Sequence, residues 1–236
     1  MFNYDYLVYG ILLAGVAGSI AARKLTVAGA ICGGLIGLFI YKGAAYAGLA
    51  MLIAFFILGT AATSWQRDFK QALGAAEKNK GKRTAGQVLA NGGLAAVFGL
   101  LAWLLPQETV LLRLLAAAAL ASATADTLSS ELGMVYGRRF YHVLTLQEGT
   151  PGADGIVSTE GTIIGAAGAA IIALIYGLGY GWSWNVLWII FAANAGNFAD
   201  SALGATLERR NVINNNTVNF LNTLTAAIVV YMISTF

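Results

Sequence analysis

Charge is scarce in this chain. Only 11% of its 236 residues are Asp, Glu, Lys or Arg, against roughly a quarter in a soluble domain. So few charges cannot cover the water-facing surface of a soluble protein of this length. There is a single cysteine, Cys32, and a single histidine, His142. That excludes an intramolecular disulfide and any Cys/His metal cluster. Cys32 lies within an apolar run and reads as a packing residue, and His142, with no partner at ligand spacing, reads as an interfacial side chain. Hydrophobic residues reach 58% with 29 glycines, a composition that excludes both disorder and a collagen-like repeat. The formal net charge of +3 comes from basic residues confined to short loops between apolar runs. That distribution points to membrane topology and not to nucleic acid.

Windows of about 20 residues, the length that spans a roughly 30 Å hydrocarbon layer, give eight candidate helices. They cover 6–22, 25–41, 44–63, 85–105, 112–130, 161–181, 184–204 and 217–235. The expected fold is an all-α polytopic integral membrane bundle of about eight transmembrane helices, six to eight allowing for a hairpin among the first three. It forms one membrane domain over 1–236. The first apolar run predicts a retained helix and not a cleavable leader, because Asp5 precedes it and its basic residues, Arg23 and Lys24, follow it. Gly33/Gly37, Gly161/Gly165 and Gly177/Gly181 are spaced for close helix packing. Trp182, Trp184 and Trp188 read as an interfacial belt.

Twelve of the fourteen basic residues fall on one side of this topology, leaving only Lys42 and Arg113 on the other. The excess marks the cytoplasmic side. It places the basic 64–84 loop, the Gly/Thr/Ser-rich 131–160 loop and the 205–216 loop in the cytoplasm, with both termini outside. The acids follow the same partition: nine lie in or beside these loops, and only Asp5 and Glu108 lie opposite. A transporter more often places ionisable groups near the bilayer midplane.

Three segments on that side carry chemistry. The fifth candidate helix ends in Ala-Thr-Ala-Asp126-Thr-Leu-Ser129-Ser130-Glu131-Leu-Gly, with Asp126 and Ser130 on one helical face and Glu131 adjoining. The seventh ends in Gly-Asn197-Phe-Ala-Asp200-Ser201-Ala-Leu-Gly-Ala-Thr-Leu-Glu208, so Ala-Asp-hydroxyl recurs at the same depth in two helices of the same direction. Carboxylates paired in this way suit Mg²⁺, a hard ion that keeps several waters while bridging substrate phosphates. Between them runs Gly149-Thr150-Pro151-Gly152-Ala153-Asp154-Gly155-Ile-Val-Ser158-Thr-Glu160-Gly161-Thr162. Its glycines and hydroxyls, opening into a helix N-terminus, read as a phosphate cradle. Arg83, Gln87 and Asn91, at four-residue spacing on the entering fourth helix, are placed to hold phosphate oxygens, whereas Lys78 and Lys80 read as topology determinants.

Taken in order, Arg83-Thr-Ala-Gly-Gln87-Val-Leu-Ala-Asn91-Gly, Ala-Asp126-Thr-Leu-Ser-Ser-Glu131-Leu-Gly, the 149–162 loop and Asp200-Ser-Ala-Leu-Gly-Ala resemble the integral-membrane family called domain of unknown function 92. That family includes transmembrane protein 19 and the phytyl-phosphate kinases, and the resemblance runs over nearly the whole chain. It implies a Mg²⁺-dependent kinase that transfers a phosphoryl group from CTP or ATP to an isoprenyl monophosphate at the cytoplasmic face of a prokaryotic plasma membrane. Asp126 and Asp200 would hold the ion, with Glu131 and Asp154 as further ligands. Arg83, Gln87, Asn91 and Ser158 would bind phosphate oxygens. A lipid-phosphate cytidylyltransferase and a non-enzymatic lipid-phosphate transporter remain alternatives, and homo-oligomerisation is left open.

Cysteine-accessibility labelling in intact cells checks the orientation. A cysteine at Glu108 is expected to react with an impermeant reagent and one at Lys80 to be protected; the reverse pattern inverts the topology.

Overall fold

The computed structural model describes residues 5–73 and 81–235, so Glu77, Lys78 and Lys80 lie outside the described residues. The chain is a helical bundle. Its elements are α1 (Asp5–Ala21), α2 (Val27–Ser64), the short α3 (Arg67–Ala72), α4 (Ala85–Leu104), α5 (Thr109–Tyr136), α6 (Thr159–Tyr180), α7 (Asn185–Leu203) and α8 (Asn215–Ser234). A π-turn, Gly204–Glu208, extends α7. Two-residue strands, β1 (Tyr141–His142) and β2 (Ile156–Val157), pair antiparallel within the α5–α6 connection. Among the described residues, six helices are long and apolar enough to cross a membrane, and α1, at 17 residues, is shorter.

One of the six is folded back on itself. Ala45 breaks the helical backbone of α2 with φ 50° and ψ −151°, and the two arms then run side by side. Lys24 Nζ donates to Ser64 Oγ at 2.8 Å across forty residues, a separation of about 60 Å had the helix been straight. Near the tip, an ideal Cβ on Gly48 would lie 2.4 Å from the Ala44 Cβ. The arms correspond to the second and third candidate helices, so eight helical segments run lengthwise through the bundle. The reversal exposes carbonyls that a helix would have used. Arg113 Nε donates to Gly43 O at 2.9 Å, the Tyr180 hydroxyl donates to Ala44 O, and the Arg113 guanidinium stacks over the Tyr180 ring. Asp5 closes the same end, accepting from the Tyr41 hydroxyl at 2.7 Å and pairing with Lys42.

The bundle is organised around α5. Every residue from Leu114 to Ala125 is buried, so this stretch has no outward face and must be enclosed on all sides. Most of these side chains are Ala, Ser or Thr, which lets neighbouring helices approach closely. A Cβ on Gly165 of α6 would fall 2.8 Å from the Ala125 carbonyl oxygen, and one on Gly161 would fall 2.7 Å from the Ser129 carbonyl oxygen. The glycine pairs expected to serve packing therefore divide. Gly161 and Gly165 do so against α5, and Gly37 against Leu12 of α1, but a Cβ on Gly33 meets nothing closer than 3.9 Å. Gly177 packs against the Trp182 ring. Gly181 instead terminates α6 with φ 99°, a conformation that favours glycine. Trp182 and Trp184 are exposed, as a belt requires, whereas Trp188 packs against the core.

Lys70 ties the segment after α2 to this centre. It is 1% exposed, although its position in a basic loop predicts a solvated charge. Its Nζ donates to the carbonyls of Ala62 and Thr63 at 2.8 and 3.1 Å, capping the end of α2, and pairs with Glu131 of α5 at 2.5 Å. A buried ion pair contributes little over an apolar pair of the same shape, but removing one partner strands the other. Lys70→Met is therefore expected to cost on the order of 3 kcal/mol, and Lys70→Met/Glu131→Leu to recover most of it, as read from thermal unfolding in detergent. Equal losses in the single and double variants would show that Lys70 acts through its carbonyl caps alone.

Candidate functional site

At the end of the bundle that carries the long connections, α2, α4, α6 and α8 begin with a side-chain cap. Thr26 accepts from Gly29 N, Thr84 from Gln87 N, Ser158 from Gly161 N and Asn214 from Thr217 N. Capping residues satisfy N–H groups that a helix start leaves open. The N-termini of α4, α6 and α8 surround a cavity of about 1190 Å³, and each brings the positive end of a helix dipole to its wall.

Asp126 of α5 and Asp200 of α7 meet in this cavity, with their carboxyl groups in hydrogen-bonding reach of one another. Asp126 directly follows the enclosed stretch of α5, at the point where the helix emerges into the polar space. Asn222 Nδ2 donates to Asp200 Oδ1 at 3.4 Å, and the Ser122 hydroxyl in turn donates to Asn222 Oδ1. The positive charge of Arg83 acts on Asp126. The matching Ala-Asp-hydroxyl segments therefore do bring two carboxylates together.

All but one of the residues read from the sequence line the cavity: Arg83, Gln87 and Asn91 on one wall, Asp126, Ser129, Ser130 and Glu131 on α5, Gly152, Asp154, Gly155, Ser158 and Thr162 on the connection and α6, and Asn197, Asp200 and Ser201 on α7. The exception is Thr150, which is exposed and turned into a tight turn, its carbonyl accepting from Ala153 N.

Several roles differ from those expected, because local hydrogen bonding uses the groups first. Arg83 does not lie on the α4 helix. It precedes the Thr84 cap and forms a parallel bridge with Leu25, its N donating to Lys24 O and its O accepting from Thr26 N, each at 3.0 Å. Its guanidinium stands over the Phe55 ring. Gln87 is the third residue of a capping box, and its Oε1 accepts from Thr84 N at 2.8 Å. Ser158 caps α6 and is buried, so its hydroxyl serves the fold. Ser129 and Ser130 donate to the Asp126 carbonyl, and Ser129 also donates to Asn197 Oδ1 at 3.1 Å.

The expected four-carboxylate metal set is not assembled. Glu131 is held by Lys70, and Asp154 stands beside Glu208, which also interacts with Asn215. Among the described residues, no three Asp, Glu, His or Cys side chains converge as ligands. A facing carboxylate pair nevertheless fits Mg²⁺, which takes one or two carboxylates and fills its remaining positions with water and substrate phosphate.

The connection is pressed against α7 through glycine. Gly155 has φ 75°, and a Cβ there would lie 2.3 Å from the Ala205 side chain. Gly152 also has positive φ. The His142 ring accepts from the amides of Leu144 and Thr145, a turn-forming role and not a ligating one.

An asparagine-rich wall at the start of α8 adds residues that no sequence motif marks. Asn211, Asn214, Asn215, Asn216 and Asn219 line the cavity together with Asn194 of α7. The signal was present in the composition of one segment: residues 211–222 contain six asparagines. These asparagines have no helical spacing toward a carboxylate, and only the fold brings the start of α8 to the cavity. Asparagine supplies N–H donors and a carbonyl acceptor without net charge, so this wall can hold phosphate oxygens and metal-bound waters without adding positive charge.

The described structure matches no solved structure. The sequence does match known proteins. It is 33% identical over 196 residues to the uncharacterized membrane protein sll0875 of Synechocystis sp., covering 82% of this chain and 76% of that protein. It is 31% identical over 208 residues to the uncharacterized membrane protein MJ0933 of Methanocaldococcus jannaschii, covering 88% and 85%. It is 28% identical over 233 residues to the chloroplastic protein VTE6 of Arabidopsis thaliana, covering 95% and 70%. The pattern of the family described as integral membrane protein DUF92 extends over residues 10–227, and with carboxylates, loop and capped helix starts all inside that span, the chain belongs to the DUF92 family of integral membrane proteins.

Proposed function

We propose that this protein transfers a phosphoryl group from a nucleoside triphosphate, CTP or ATP, to an isoprenyl monophosphate, at the cytoplasmic face of the membrane. The observation that carries this reading is the facing pair Asp126 and Asp200, with Arg83 acting on it, in a polar cavity of about 1190 Å³ at one end of an apolar bundle. A volume of that order accommodates two phosphate-bearing substrates. The family resemblance to phytyl-phosphate kinases supports the same chemistry. The one-sided placement of the acids favours an enzyme over a conduit: among the described residues only Asp5 and Glu108 lie at the other end.

The acceptor is already anionic near neutral pH, so no strong general base is needed. A phosphate oxygen of the prenyl monophosphate forms a bond to the γ-phosphorus. The bond from that phosphorus to the β,γ-bridging oxygen breaks, and the nucleoside diphosphate leaves with the electron pair. Catalysis of this kind rests on positioning and charge stabilisation. Asp126 and Asp200 would hold Mg²⁺, which when bound neutralises phosphate charge. Arg83 clamps phosphate oxygens with its planar fork. The Asn211–Asn219 wall and the N-termini of α4, α6 and α8 orient the remaining oxygens.

Incubating the purified protein with prenyl monophosphates and labelled nucleotides, with and without Mg²⁺, tests the assignment. Release of nucleoside diphosphate is expected; release of pyrophosphate would make it a cytidylyltransferase, and no turnover on any pair would remove the enzymatic reading. Asp126→Asn and Asp200→Asn are each expected to abolish Mg²⁺-dependent turnover in a protein that still extracts and elutes as wild type, since the amide keeps the shape but loses the charge a hard cation needs. Near-full activity in either variant would remove that residue from the site.

Arg83→Lys keeps the charge and loses the bidentate fork. It is expected to lower turnover efficiency about a hundredfold, on the order of 2 to 3 kcal/mol of transition-state stabilisation, while Lys78→Gln and Lys80→Gln change little. Comparable losses at all three positions would indicate a diffuse electrostatic patch.

A further inference from the structure

A second cavity, of about 300 Å³ and lined by apolar side chains, lies between α1, the α2 hairpin and α4. Leu12 and Val16 of α1, Ile36, Leu52 and Phe55 of the hairpin and Val88 of α4 form its walls. Two glycines on its lining have no packing role. A Cβ on Gly15 would meet nothing within 4 Å, and one on Gly33 would meet only Leu25 and Val88 at 3.9 and 4.0 Å. The next glycines along the hairpin arm differ: a Cβ on Gly34 or Gly37 would fall 2.8 or 2.6 Å from an α1 side chain. Helix contact therefore constrains Gly34 and Gly37, whereas Gly33 leaves space in the groove.

This apolar cavity shares Arg83, Gln87 and Asn91 with the polar one. Asn91 is 7% exposed, its Nδ2 donates to Gln87 O at 3.0 Å, and its Oδ1 is buried with no hydrogen-bond partner. A buried acceptor in that state is costly unless a donor reaches it. The P–OH of a singly protonated phosphate monoester, or a water carried with it, is such a donor.

We propose that this cavity seats the first part of the hydrocarbon chain of a prenyl monophosphate, whose head lies at Arg83 and Asn91 in the polar cavity. The proposal rests on the phosphotransfer reading for the head group. A chain leaving the bilayer for an apolar groove exchanges one hydrocarbon environment for another and gains little, so the groove aligns the phosphate and selects chains by shape. Gly33 lies one helical turn beyond Gly29, where a Cβ would fall 2.9 Å from the Arg83 carbonyl oxygen. A side chain at Gly33 plugs the groove about one turn, roughly 5 Å, below the head.

The test uses the full chain in lipid nanodiscs, with a prenyl monophosphate carrying a diazirine on its second isoprene unit, and maps the cross-linked peptides. In the wild type the label is expected on 11–16, 33–36 and 49–56. Gly33→Leu is expected to lose most of that label and to lower efficiency at least tenfold for a twenty-carbon prenyl monophosphate, leaving a five-carbon one within twofold. Gly33→Val, a shorter side chain at the same position, is a second plug should Gly33→Leu fail to extract. Label on the outer faces of α7 or α8, or a chain-length profile unchanged in the plugged protein, overturns the groove while kinase turnover stands. Capture in the groove with no phosphoryl transfer retains the groove and overturns the kinase.

Discussion

The enclosure of α5 is the constraint on which the other parts depend. A helix buried on every side from Leu114 to Ala125 must be surrounded, and small side chains set how near its neighbours come. It also fixes where polar chemistry can begin. Asp126 is the first residue beyond that stretch, so its carboxylate stands at the mouth of the enclosed core, where it faces the polar cavity. Because α7 packs against the same helix in the same direction, Asp200 arrives at the same depth.

Around this pair the charge is arranged in layers. Arg83 and three helix N-termini supply positive potential, while the Asn211–Asn219 wall supplies neutral donors. Amides donate hydrogen bonds without net charge, so this wall is polar without adding to the positive potential. Lys70 pairs with Glu131 on the wall of the same cavity, so the third carboxylate beside Asp126 carries its own counter-charge. One buried pair thus anchors the basic segment and offsets part of the negative charge that Glu131 would otherwise bring beside Asp126.

The α2 reversal makes a different contribution. By folding back at Ala45, with its freed carbonyls taken by Arg113 and Tyr180, the hairpin places both arms beside Arg83 and opens an apolar space next to the polar cavity. The polar and the apolar cavity then share one wall at Arg83, Gln87 and Asn91.

Sequence alone determined that this is an all-α membrane bundle, that its polar groups gather at one end, and that Asp126 and Asp200 occur at matching depths. Hydropathy and helical period are local properties, and each is readable in a single segment. What depends on the competition for hydrogen bonds was not readable. Gln87 and Ser158 have the composition of phosphate ligands, yet serve as helix caps, because an unsatisfied N–H one turn away claims them first. Lys70 has the context of a solvated loop charge, yet is buried, because the end of α2 and Glu131, sixty-one residues away, offer it three acceptors. Gly33 and Gly37 form one small-residue pair, yet only a Cβ on Gly37 would clash with a neighbouring helix. Tertiary structure decided these outcomes, since each depends on which group from a distant part of the chain arrives within about 3 Å, a quantity that no local pattern encodes.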